Sequence, residues 1–121
     1  MTEVSAQDVL ERFALLAALP EPEEFLPLCG DAAAEISGAQ RDSCGTEARG
    51  ALVSASATLA FYRWAMAQAA SGAGSFSAGD VKVTVDSGRV SQARRLWREA
   101  IASAAPYLKD GGGFVFGRIL P

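Results

Sequence analysis

GALVSASATLAFYRWAMAQAA, residues 50–70, is the stretch whose reading decides the fold, and Arg63 is its only charged residue. Leu52, Ala55, Leu59, Tyr62 and Met66 recur at helical spacing, and Val53, Ala57, Ala60, Phe61, Trp64 and Ala65 fill much of the remaining circumference. A helix that is apolar over most of its surface needs partners all round it. Its length would also suit a bilayer, which takes about 20 apolar residues to cross. Arg63, Gln68, Ser54, Ser56 and Thr58 speak against a span, as does the lack of basic flanks. A buried central helix is therefore expected, capped by Thr46 and ended by Ser71-Gly72-Ala73-Gly74.

The segments before it have the form of one-sided helices. Ser5 is a fitting N-cap with Asp8 three residues on, and Val9, Leu10, Phe13, Leu16 and Ala17 make an apolar stripe. Pro20 and Pro22 end that helix, since each lacks a donor and restricts the residue before it. A second helix is expected from Glu23, with Pro27 in its first turn and Phe25, Leu28, Ala32, Ile36 and Ala39 facing inward. Gly30 inside it either permits a close helix crossing or is simply tolerated. Residues 40–45 form a polar turn.

After the central helix the pattern changes. Val81, Val83 and Val85 alternate with Lys82 and Thr84, which is the period-two signal of a half-buried strand. Such a strand has no hairpin partner next to it, so its backbone groups must be satisfied elsewhere. Asp86 or Ser87 would cap the last helix, whose inward residues are Val90, Ala93, Trp97, Ala100, Ile101 and Ala104. Pro106 limits it near Ala105, and Gly111-Gly112-Gly113 lead into the apolar ending FVFGRILP. The expected architecture is mainly α: one domain over residues 1–121, a four-helix-type bundle with one or two short β-strands. Those strands are an extended arm at residues 75–86 and a C-terminal tail at residues 111–121.

Composition narrows the chemistry. Half of the 121 residues are apolar, enough for a core without metal or disulfide. The net charge of −3 does not suit a chain that coats nucleic acid. Cys29 and Cys44 flank a turn; with no export signal at the N-terminus, reduced thiols in a cytoplasm are the expectation, although the spacing alone permits a bridge. Histidine is absent, which removes the commonest general base and metal ligand. Cys29 and Cys44 have no imidazole to activate them, and the glycine run at 111–113 lacks the Lys-Ser/Thr of a phosphate loop. No catalytic residue, cofactor or metal site is expected, and the chain is read as a non-enzyme with no small-molecule substrate.

Charge is unevenly distributed. Residues 1–47 hold 10 acidic and 2 basic side chains, whereas residues 48–121 hold 4 acidic and 9 basic. The two halves either neutralise each other within one fold or meet head to tail between subunits. Arg94, Arg95 and Arg98 are either a solvated face, compensated by Glu99 or by the acidic second helix, or a phosphate contact. Phe76, Phe114 and Phe116 either complete the core or plug into a partner.

Taken in order, FLPLC in the acidic helical pair, LAFYRWA in the Ala-rich helix, SFSAGDVKVTV, an Ala/Arg helix and the FVFG ending resemble the head–tail connector, or adaptor, proteins of tailed phages and prophages. The resemblance covers most of the chain through hydrophobic pattern. It implies a small helical ring subunit at the portal, a homo-oligomer that contacts portal or tail-completion proteins, first in the host cytoplasm and then at the head–tail junction of the virion. It supplies no catalytic residues; no membrane and no direct nucleic-acid binding are expected from the central helix and the net charge. The interface segments it points to are the arm Phe76 to Val85, with Val81 and Val83, and the tail Phe114 to Ile119, with Phe116; the uneven charge, not the resemblance, adds Arg94, Arg95 and Arg98 as candidate interface residues. A small bacterial helical interaction or regulatory module is the alternative reading. A DNA-binding regulator using the arginine face is a third.

Overall fold

The computed structural model of the chain describes residues 1–75 and 79–109, with backbone alone described for 71–75 and 79–87. Four helices follow one another: α1 (Ala6–Ala17), α2 (Leu26–Ala39), α3 (Arg49–Ser75) and α4 (Gly79–Ala104). Short 3-10 turns at Pro22–Phe25, Thr46–Ala48 and Ala105–Tyr107 lead into α2, into α3 and out of α4. The protein is a helical bundle.

Local chemistry accounts for the starts and stops. Ser5 caps α1, its Oγ accepting from the backbone N–H of Gln7 at 3.2 Å and of Asp8 at 3.5 Å. Asp8 does not turn back to complete a capping box; its carboxylate pairs with Arg49. Ala18, in the left-handed region at φ 55° and ψ 44°, turns the chain out of α1 two residues before Pro20. Pro27 sits in the first turn of α2, where its missing N–H has no intrahelical acceptor to lose. Thr46 lies within the 3-10 turn rather than capping α3, and α3 begins at Arg49.

α3 is the mast of the bundle. α1, α2 and α4 all pack against it, and α1 packs against α2. Leu52, Ala55, Leu59, Ala60 and Ser56 are wholly buried in it, and Tyr62 and Trp64 nearly so. Ser56 satisfies its hydroxyl by donating to the Leu52 carbonyl at 2.8 Å, and Thr58 reaches the Ser54 and Ala55 carbonyls. Phe13 of α1 meets Trp64 edge-on at 6.1 Å and tilts against Phe25 at 5.6 Å. α4 contributes Ala93, Trp97, Ile101 and Ala104. None of the described helices is long and apolar enough to cross a membrane.

Two expectations are corrected after residue 70. α3 does not stop at Ser71-Gly72-Ala73-Gly74 but continues to Ser75. Val81, Val83 and Val85 are not a strand: they lie in the first turns of α4, which starts at Gly79 rather than at Asp86 or Ser87. The reason is backbone accounting. A lone strand leaves a row of unpaired N–H and C=O groups, whereas a helix satisfies them internally. β-branched residues lower helix stability by only about 0.5 kcal/mol each relative to Ala. Phe76 and the C-terminal tail at residues 111–121 lie outside the described residues. The β feature among the described residues is a single bridge between Gln40 and Leu108.

That bridge belongs to a knot where the ends of three helices meet. The Arg41 amide donates to the Tyr107 carbonyl at 2.8 Å, and Arg41 Nε donates to the Leu108 carbonyl at 3.0 Å. Cys44 Sγ donates to the Tyr107 carbonyl at 3.2 Å. Gln40, fully buried, binds both backbone groups of Thr2. The N-terminus, the α2–α3 turn and the exit from α4 are thereby tied at one end of the bundle.

Candidate interaction faces

α4 turns Ala93, Trp97, Ile101 and Ala104 toward α3 and leaves Arg94, Arg95 and Arg98 exposed. Arg94 and Arg95 differ. Arg94 Nε donates to the buried Tyr62 hydroxyl at 3.1 Å, and its guanidinium lies 6.0 Å from the Tyr62 ring centroid. It is fastened to the α3–α4 seam. Arg95 points outward one residue later, with no ion pair among the described residues. Arg89, one turn and a residue before Arg94, covers the Trp64 ring at 5.2 Å. Aromatic faces on α3 thus hold two of α4's arginines by their stems and faces, a contact that charge counting alone cannot show.

The acidic side chains gather elsewhere. Glu21, Glu23 and Glu24 are exposed around the 3-10 turn before α2, and Asp31 is exposed on α2 itself. The ion pairs described within the chain are Asp8 with Arg49, between α1 and the start of α3, and Glu35 with Arg63, between α2 and α3. Asymmetry of charge is therefore partly absorbed against α3. Arg95 on α4 and the acids before α2 remain on outward faces of two different helices.

A second surface went unread in the sequence. Arg12, Leu15, Leu16, Ser54, Ala57 and Thr58 line a shallow groove between α1 and α3, with Arg12 Nη1 donating to Ser54 Oγ. Leu15 is 82% exposed at its edge. Leu15 follows Phe13 and Ala14 in an unbroken apolar run, yet a helix can turn only one side of such a run inward. That run was the available signal.

Of the residues singled out from sequence, Val81, Val83, Val85, Arg94, Arg95 and Arg98 share one helix, α4. Phe76, Phe114 and Phe116 lie outside the described residues. Cys29 and Cys44 are free and buried, and burial pushes the Cys29 thiol up from 9.0 to about 11. Among the described residues, no group of three or more His, Cys, Asp or Glu could hold a metal ion. Comparison with known proteins finds no matching family model, no matching curated protein and no matching solved structure.

Proposed function

We propose that this chain is a non-catalytic structural subunit of virion assembly, of the head–tail connector or adaptor type, which self-associates as a ring on the portal. The family part of the reading comes from the resemblance of residues 25–29, 59–65, 75–85 and 114–117 to those proteins. The observation that supports association is the sorting of charge: acids outward around the start of α2, arginines outward along α4. Exposed arginines outnumber the exposed Glu99 on α4, and a face with an excess of one sign attracts its opposite on another subunit and repels its own kind.

Residues 79–85 are helical, so the arm read there supplies no strand to that contact. It is made by helix faces, with Arg95 and Arg98 on one side, and the tail bearing Phe114 and Phe116 retained as a second segment by resemblance. The chain would meet the portal in the host cytoplasm and stay at the head–tail junction of the virion. Co-sedimentation with purified portal-bearing heads tests the reading. Stoichiometric retention on those heads, and none on heads without a portal, is the expected result; failure to bind either removes it.

A second reading is favoured by the exposed Leu15 beside the α1–α3 groove: a small interaction or regulatory module that takes one protein partner there. Leu15→Glu would abolish that binding and leave portal retention unchanged.

A further inference from the structure

α2 and α4 carry matching outward stripes. On α2, Pro27, Asp31, Ala34 and Gly38 are all exposed, opposite the inward Cys29, Ala32, Ala33 and Ile36. On α4, Ser91, Arg95, Arg98 and Ala102 are exposed, opposite Ala93, Trp97, Ile101 and Ala104. Both stripes follow the four-then-three spacing that keeps residues on one side of a helix. Outside the charged positions the side chains are small, and a Cβ added at Gly38 would meet nothing within 4 Å. Two such helices can approach to the usual 8–10 Å between axes, so that charge is read at short range.

We infer that the α2 stripe of one copy receives the α4 stripe of a second copy, antiparallel, with Asp31 opposite Arg95. The occupant follows from charge complementarity. Glu23 and Glu24, in the 3-10 turn before α2, then lie toward the later part of α4, where basic residues outnumber acidic ones. The antiparallel sense also sets the positive end of one helix dipole by the negative end of the other. Within one chain the two stripes do not meet, since each helix turns its other side inward and α4 packs on α3. A contact between different surfaces of identical copies is heterologous, so it propagates, closing as a ring when the rotation permits. This deepens the connector reading and rests on it for the ring, though not for the contact itself.

Charge reversal tests the contact. Asp31→Arg and Arg95→Asp are made separately, mixed, and combined in one chain. Each is followed by sedimentation velocity at low and high salt, with circular dichroism as the control for folding. The wild-type chain is expected to self-associate in a salt-weakened way. Either reversal alone should raise the dissociation constant about 10-fold or more, because like charges then face each other. An equimolar mixture of the two reversed chains, and the double variant D31R/R95D alone, should both restore association. Wild-type chains that stay monomeric at low salt overturn the contact, as do reversals that leave association unchanged or a mixture that fails to restore it. Loss of binding to a short DNA duplex by R95D, without any self-association of the wild type, overturns it in favour of nucleic acid. If reversals leave association intact while portal-bearing heads still retain the chain, this contact fails and the connector reading stands.

Discussion

Gln40 holds Thr2 as a neighbouring strand would: its Oε1 accepts the Thr2 amide N–H at 2.9 Å, and its Nε2 donates to the Thr2 carbonyl at 2.8 Å. A side-chain amide thereby satisfies both backbone groups of a residue that belongs to no helix. Gln40 Nε2 also lies 3.2 Å from Ser37 Oγ, and the Gln40 backbone bridges to Leu108. One buried residue joins the chain's start, the end of α2 and the exit from α4.

Gln40→Ala removes both bonds and strands a buried donor and acceptor on Thr2. It should lower stability by about 2–4 kcal/mol, at about 1–3 kcal/mol for each buried group left unpaired. Urea unfolding measures this; a loss below about 0.5 kcal/mol would mean water replaces the amide without penalty. Gln40→Glu keeps the shape but sets an oxygen against the Thr2 carbonyl. Burial and that carbonyl raise the new carboxyl's folded pKa, so this variant should gain stability as pH falls and the protonated acid becomes a donor.

α1 ends with Ala18 at φ 55°, a left-handed conformation that crowds the Cβ of an L-residue. Ala18 is exposed, and its N–H still reaches the Ala14 carbonyl, so the backbone has reason to stay as it is. Ala18→Gly removes the crowding and should raise stability by about 0.5–1 kcal/mol, the residue's steric penalty less the added freedom of glycine when unfolded. A shift of the unfolding midpoint to lower denaturant would show that the left-handed turn is not what ends α1.

Cys29 is wholly buried on the inner side of α2, and its thiol is pushed up from 9.0 to about 11 by loss of solvent. The folded form therefore keeps its proton where the unfolded form has lost it. Because the folded value is the raised one, stability from this group is complete below pH 9 and is lost as pH rises toward 11. Cys29→Ala should flatten the fall in stability over that window relative to the parent. Equal slopes would assign the alkaline loss to other groups.

Much of this fold is legible from residue order, and the exceptions share a cause. Ser5, Pro20 and Pro27 act through their own backbone neighbourhood, so a local reading finds them. The all-round apolar surface of residues 50–70 requires a buried helix whatever the topology. V-K-V-T-V misleads because alternation reports two faces, not which hydrogen bonds are made; α4 answers that question through its own ladder. The knot at Gln40 joins residues 2, 40 and 108, a relationship that no sequence window contains. At the candidate faces, the kind of charge was readable, but not which arginine is already engaged.

Arg94 and Arg95 make that distinction testable. They are adjacent, alike in charge and both exposed, yet Arg94 Nε donates to the buried Tyr62 hydroxyl at 3.1 Å and Arg95 stands outward. Arg94→Ala removes the donor and the stem that covers Tyr62, leaving a nearly buried hydroxyl to find a new partner. A loss of about 1 kcal/mol is expected, reduced by the solvent that reaches the guanidinium. Arg95→Ala should stay within about 0.5 kcal/mol of the parent in stability, as exposed substitutions generally do. Tyr62→Phe should lower the cost of Arg94→Ala in a double-mutant cycle, because the acceptor is then gone before the donor is removed. Association should show the reverse order, with Arg95→Ala weakening it more than Arg94→Ala. If the two alanine variants change stability and association alike, α4 presents its arginines as one undivided charge and the Tyr62 anchor has no separate role.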